Sequence, residues 1–318
     1  MKRTHRLLVG VAAAIAATAM LLALALAPGG AVAHAAAGGG TEVLHNAHIM
    51  GVHGSKTNPA STSGQLYYHG GTGGVGVETG SDLVYLVFWG PQWSSDPSGE
   101  AALMQNFFNH VGGSSWNNSV TQYCEGVSSG TYFCNGAGTA ATNPTGVLAG
   151  TWYDSSSLPK RISQSALASE ASKAASHFGN SNHTQVQYVV ATPTGHSMNG
   201  FGTQWCAWHS STSSSYGTIA YTYMPYITDA GSSCGANFNG LGANAGITIV
   251  GGHEFAETES DIYPSSGWTD SSGSENGDKC AWSSATANES LNGVNFPVQP
   301  LWSNNANSQT GGCVQTYP

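Results

Sequence analysis

Gly251-Gly252-His253-Glu254-Phe255-Ala256-Glu257-Thr258-Glu259-Ser260-Asp261 puts one imidazole and four carboxylates into nine positions of a chain in which only 8% of residues are charged. Ile247-Thr248-Ile249-Val250 supplies apolar side chains upstream, and Pro264 downstream cannot continue a helix, so the pattern predicts one buried helix over residues 245–262. His253 and Glu257 then stand one turn apart on one face. Glu254 is rotated from them by about 100°, so it approaches a water beside a metal without ligating that metal. This is the logic of His-Glu-x-x-His with Glu in place of the second His. His253 and Glu257 are candidate ligands to a divalent metal, and Glu254 is a candidate general base. A solvated acidic helix face is the competing reading. It fits poorly with the Ile-Thr-Ile-Val lead-in and with the lack of Lys or Arg.

Working outward, such a site needs a third protein ligand. Gly267 to Cys280 offers Glu275 and Asp278, in a segment that a disulfide at Cys280 would pin. Asp261, a further turn along the helix, is the local rival, although helix faces drift by about 40° every four residues. Upstream, Trp205-Cys206-Ala207-Trp208-His209 and Tyr221-Thr222-Tyr223-Met224-Pro225-Tyr226 concentrate aromatics, which suit either the wall of a substrate groove or a core. His209 is the one member able to donate to a developing oxyanion, against a purely structural role.

Around this centre the chain alternates elements. Residues 81–90, containing Asp82 to Trp89, form a nearly continuous apolar run that predicts a central strand. Glu100 to His110 and Ser163 to Phe178 have helical spacing and stop at glycines. Val186 to Ala191 reads as a strand, residues 125–157 as a hairpin walling a cleft, and the tail from Val298 as a closing strand. The expected fold class is α/β (α+β), a single mixed-sheet domain with a central metal-binding helix and disulfide-stapled loops.

Residues 1–36 combine Lys2, Arg3 and Arg6, an apolar run through Leu26 and small residues ending at Ala36, the pattern of a secretory signal. Residues 37–80, rich in Gly, Ser, Thr and His, read as a flexible lead or removable pro-segment, and residues 81–318 as the metallohydrolase-like domain. Without the signal, five Lys and Arg face seventeen Asp and Glu, a net charge of −12 with His neutral. Nucleic acid is an improbable partner for such a chain, and no later segment is apolar enough to span a bilayer. A sparsely charged surface changes little on acidification, which suits an acidic exterior. All six cysteines follow the signal, and their even number in a secreted chain implies disulfides. Sequential pairing, Cys124 with Cys134, Cys206 with Cys234 and Cys280 with Cys313, closes the shortest loops.

Two resemblances follow. Gly252 to Glu257, the continuation to Asp261 and Glu275-x-x-Asp278 resemble the gluzincin kind of zincin metallopeptidase. That likeness implies Glu254 as general base, Glu275, twenty-two residues after His253, as third metal ligand, and Asp278 as a partner orienting His253. Glu257 departs from it, since that family has His there. More of the chain, roughly residues 80–315, is similar to secreted exordium-like, phosphate-induced proteins and their bacterial relatives. The shared pieces are His253 to Glu257, Trp268, Glu275 to Cys280 and Cys206-Ala207-Trp208-His209. This second likeness implies a fold and a metal site more than an activity.

The leading expectation is a secreted, monomeric metal-dependent hydrolase acting on a peptide or protein. Zn²⁺ is the expected cofactor, and an oxygen-rich ligand set also takes Mn²⁺ or Ca²⁺. The alternatives are a non-catalytic extracellular or wall-associated binding protein with a structural metal, and a metal-free acid peptidase using a carboxylate pair such as Glu254 and Glu257.

Overall fold

A computed structural model of the chain describes residues 42–55 and 64–317. The expected signal segment and the first residues of the lead lie outside them. The fold is mixed α+β. Six strands form the main sheet: β1 (Ala47–Gly51), β2 (Leu83–Trp89), β3 (Leu148–Asp154), β4 (Val186–Ala191), β5 (Trp205–Ser214) and β6 (Gly217–Met224). Their spatial order is β1-β5-β6-β4-β2-β3. Pairing is antiparallel for β1 with β5 and β5 with β6, and parallel from β6 through β4 and β2 to β3.

The continuous apolar run of β2 is explained by burial on both sides. Val84, Leu86 and Phe88 point into one core, together with α1 (Glu100–His110) and α3 (Ala245–Ser260). Tyr85, Val87 and Trp89 point into another, together with α2 (Gln164–Phe178). Ser163 caps α2 by accepting a hydrogen bond from the Ala166 amide, and Gly179 ends it in the left-handed conformation, the usual chemistry for those positions.

Every residue of α3 is buried: its first half, Ala245 to Gly252, is apolar or small on all sides rather than striped, and its second half buries His253, Glu254, Glu257 and Glu259. Glycines permit its close packing. A Cβ on Gly246 would lie 1.9 Å from the Cys234 carbonyl oxygen. Thr248 donates to the Pro297 carbonyl (2.6 Å), and Thr258 to the Glu254 carbonyl (2.8 Å). Asp261 closes the helix, its carboxylate accepting from the amides of Ser265 (2.6 Å), Ser266 (2.8 Å) and Gly267.

The disulfides are Cys124–Cys134, Cys206–Cys234 and Cys280–Cys313, the sequential set. Two other expectations need correction. The stretch read as a flexible lead supplies β1 at the sheet edge, and Met50, Leu66, Tyr68 and Val77 within it are at most 1% exposed. Its few apolar side chains are enough to anchor it because each reaches the core. Residues 125–157 are not one hairpin: Cys124–Glu125 pairs antiparallel with Thr139–Ala140 only briefly, and β3 runs parallel to β2, after a crossover through α1. Of the two readings open for the aromatics of the 205–209 and 221–226 segments, the core is the one found, with Trp205, Trp208, Tyr221, Tyr223 and Tyr226 at most 3% exposed. The tail closes as a short antiparallel pair, Leu301–Ser303 with Gly312–Val314.

Candidate metal centre

One face of α3 carries His253 and Glu257, whose Nε2 and Oε1 atoms lie 3.0 Å apart. That approach lacks hydrogen-bond alignment, so Nε2 has no hydrogen-bond partner. Asp278 Oδ1 is 3.8 Å from the same Nε2, and the Asp278 amide donates to Glu257 Oε1 at 2.8 Å. The segment that brings Asp278 here passes at Gly277, where a Cβ would meet His253 Nδ1 at 2.8 Å and Glu257 Oε1 at 2.9 Å. Only glycine lets this loop lie against the helix.

The orientation of His253 is set from behind. Gln299 donates from Nε2 to the Gly277 carbonyl (2.7 Å), which identifies its other terminal atom as oxygen. That oxygen lies 3.3 Å from His253 Nδ1, so Nδ1 carries the proton and donates. Nε2 is thereby turned toward Glu257 and Asp278, and a hydrogen bond at the opposite ring nitrogen is what a metal-ligating histidine needs.

A second set of donors adjoins the first. Strand register places His48 of β1 opposite His209 of β5. Glu275 Oε2 lies 2.8 Å from His48 Nδ1 and 2.9 Å from His209 Nε2. His209 Nε2 is also 3.7 Å from Glu257 Oε2. Three overlapping groups therefore bring one donor atom from each member within 4.8 Å of the others: His253, Glu257 and Asp278; His209, Glu254 and Glu257; His48, His209 and Glu275.

Of the residues singled out in the sequence, His253 and Glu257 come together as expected, and the acidic residue beside them is Asp278. Glu275 sits on the far side of Glu257, between two imidazoles. His209 is fully buried with Nε2 on Glu275. Glu254 is fully buried, and neither of its carboxylate oxygens has a hydrogen-bond partner. Asp261 is taken up by backbone amides. His48 escaped sequence reasoning. The alternation in Ala47-His48-Ile49-Met50 was the available signal for a strand, but nothing local ties it to residues 209 or 275.

The electrostatics are those of a site that favours positive charge. Burial pushes the His253 imidazole down, but Glu257, Glu254 and Asp278 together override it and raise it to about 10. Burial likewise opposes protonation of His48, and Glu275 overrides it to about 10. His209 moves the other way, to about 4, because burial dominates. With one carboxylate oxygen between two imidazoles, the proton resides on His48 and His209 stays neutral. Burial raises Glu254 well above the carboxylate range, raises Glu257, and lifts Asp278 to about 6. Imidazole nitrogens and clustered carboxylates suit Zn²⁺ or Mn²⁺, and a bound cation would replace the protons that the carboxylates otherwise draw onto His253 and His48.

Among the described residues, the cluster meets solvent at His48 and Asp278. His48, whose side chain is 14% exposed, and Asp278, at 7%, line a recess of 370 Å³ with Ser265 and Ser274. A larger recess of 650 Å³, beside Thr121, Phe133 and Tyr317, has none of the candidate residues in its wall. Chemistry, rather than size, selects the smaller one. No protein-family model, no curated protein and no solved structure matches the chain, so the gluzincin and exordium-like resemblances rest on the motif residues alone.

Proposed function

We propose that the protein is a secreted metal-dependent hydrolase of the peptidase class, with Glu254 as general base. The observation that carries this reading is Glu254 itself. Its carboxylate is fully buried, has both oxygens unpaired, and lies with His209 and Glu257 among the candidate ligands. Leaving a buried carboxylate unpaired costs several kcal/mol, and a chain with no use for it has an easy remedy in Gln or Leu. His253, Glu257 and Asp278 would hold the ion. A divalent ion so held supplies Lewis acidity, lowering the pKa of a water toward neutrality and polarising a carbonyl. The chain's own part is to take the proton at Glu254 and return it to the leaving amine. Gln299 meanwhile fixes His253, and the apolar surroundings of α3 exclude bulk water. Burial raises the Glu254 carboxyl well above the ordinary carboxylate range, the direction that makes a carboxylate a stronger base.

Secretion is supported by the first 36 residues, by the three disulfides, and by the fact that no described helix is long and apolar enough to cross a membrane.

A second reading, a structural ion in a non-catalytic extracellular protein, is favoured by the depth of the site, since Glu254, Glu257, His209 and His253 are all 0% exposed. One experiment separates them. Wild type and Glu254→Gln are assayed on an unfolded protein and on peptides, from acidic to neutral pH, with bound metal measured in both. The hydrolase reading expects equal metal and a loss of turnover of about 10²–10⁴-fold in Glu254→Gln. Equal activity removes Glu254 from the mechanism, and inactive wild type with bound metal favours the structural ion.

A further inference from the structure

We propose that the cluster is built for two divalent cations rather than one. The first is held by His253 Nε2, Glu257 Oε1 and Asp278 Oδ1, the second by His48 Nδ1, His209 Nε2 and Glu275 Oε2, and the Glu257 carboxylate spans the pair. This deepens the hydrolase reading and rests on it for any catalytic meaning, but its test does not.

Three observations carry it. The two donor sets share no residue, and each gathers atoms that lie within 4.8 Å of one another. Five of the six donors are at most 5% exposed and belong to α3, β5 and the 275–278 segment. The sixth, His48, comes from the sheet edge. The sets are joined by one carboxylate whose two oxygens face opposite ways, Oε1 at 3.0 Å from His253 Nε2 and Oε2 at 3.7 Å from His209 Nε2. Glu257 Oε2 has no hydrogen-bond partner, nor does Glu275 Oε1. A carboxylate with one oxygen toward each set is the shape of a bridge, and paired ions in hydrolytic sites lie about 3.5–4 Å apart.

The charge balance points the same way. Glu254, Glu257, Asp261, Glu275 and Asp278 are all 5% exposed or less, facing three imidazoles. Lys279, next in sequence to Asp278, directs its ammonium to Asp270 at 3.0 Å and over the Trp302 ring at 4.3 Å. With the imidazoles neutral and the carboxylates ionised, as ligation requires, one dication offsets two of the five carboxylates, whereas two offset four. Asp261 is already compensated by the amides of Ser265, Ser266 and Gly267, so the two sets and Glu254 are what remains to be balanced. Both sets border the recess, the first through Asp278 and the second through His48.

The test is metal stoichiometry on the full chain, dialysed against Zn²⁺ or Mn²⁺ and analysed elementally. Two ions per chain are expected in the wild type. His48→Ala should bind one, Asp278→Ala should bind one, and the loss should be of different ions, seen as different affinities for the one retained. Electron paramagnetic resonance of the wild type loaded with Mn²⁺ needs no variant, and exchange coupling between two ions is the expected signature. A stoichiometry of one, unchanged in His48→Ala, or an isolated-ion Mn²⁺ spectrum at saturation, overturns the proposal. Two coupled ions without peptide hydrolysis would sink the hydrolase reading alone. One ion with hydrolysis that Glu254→Gln abolishes would sink the paired centre alone.

Discussion

Asp261 and Gln299 show how two buried polar side chains beside a site differ in what they do. Asp261 is fully buried, and burial with the nearby Glu275 charge raises it to about 7, yet its oxygens are engaged by three amides at the end of α3. Gln299 touches His253 directly and ties it to the Gly277 carbonyl. Asp261→Ala should therefore keep its metal while losing on the order of 2–3 kcal/mol of stability from the orphaned amides. Gln299→Ala should keep most of its stability and bind metal about 10–100-fold more weakly. Metal titration and denaturant unfolding of both variants check the pair, and metal loss in Asp261→Ala with retention in Gln299→Ala would reverse the assignment. At this scale the helical members of the site were readable, because a spacing of four residues on a helix is a statement about one face. Asp278 was visible as an acidic neighbour, but whether it or Glu275 lies beside His253 depends on the path of the chain at Gly277. His48 was not readable, since its contacts with His209 and Glu275 span 161 and 227 residues.

Elements differ in how far their own residues determine them. The strand Val186–Ala191 and the helices Glu100–His110 and Gln164–Phe178 appear at or within a residue of their expected bounds, because apolar period and glycine stops are local signals. The 125–157 stretch misled because β3 earns its place by pairing parallel to β2 across a crossover, a contact no local pattern encodes. Helix α1 also carries a buried acid whose consequences are measurable. Glu100, its first residue, is 0% exposed and accepts from the Ile227 amide at 2.8 Å. Burial, with smaller contributions from Asp96 and Asp229, raises it from 4.5 to about 8 despite those backbone hydrogen bonds. The folded state thus holds a proton that the unfolded chain releases above its ordinary pKa. The stabilisation is full below about 4.5 and is lost as pH rises through 8, by at most about 1.4 kcal/mol per pH unit. Asp82, raised to about 7 mainly by burial, acts in the same direction. The wild type should melt higher at pH 5 than at pH 9, and Glu100→Gln, which keeps an acceptor for the Ile227 amide but cannot ionise, should show a shallower decline. Identical slopes in thermal scans would remove Glu100 from the acid-stability account.

For the molecule as a whole, the disulfides connect the site to the rest of the fold. Cys206–Cys234 ties β5, three residues before His209, to the segment leading into α3, and Cys280–Cys313 ties the loop two residues after Asp278 to the closing pair of strands. Cys124–Cys134 anchors a loop whose Cys124 carbonyl accepts from the Trp268 indole at 2.9 Å. Closing loops with separations of 10, 28 and 33 residues stabilises a domain by roughly 3–4 kcal/mol each on the loop-entropy account. Together that is on the order of 10 kcal/mol, comparable with the 5–15 kcal/mol typical of a whole domain. At about 2–4 °C per kcal/mol for a domain of this size class, complete reduction should lower the melting temperature by on the order of 20 °C or more. Metal should leave in the same transition, because His209 and Asp278 depend on two of the three links for their positions. The two effects can be read together by thermal scans and elemental analysis of reduced, alkylated protein beside the oxidised form. An unchanged melting temperature after confirmed reduction would discard the disulfides as a framework. A lowered melting temperature with metal still bound below it would show that the sheet and α3 hold the ligands in place without them.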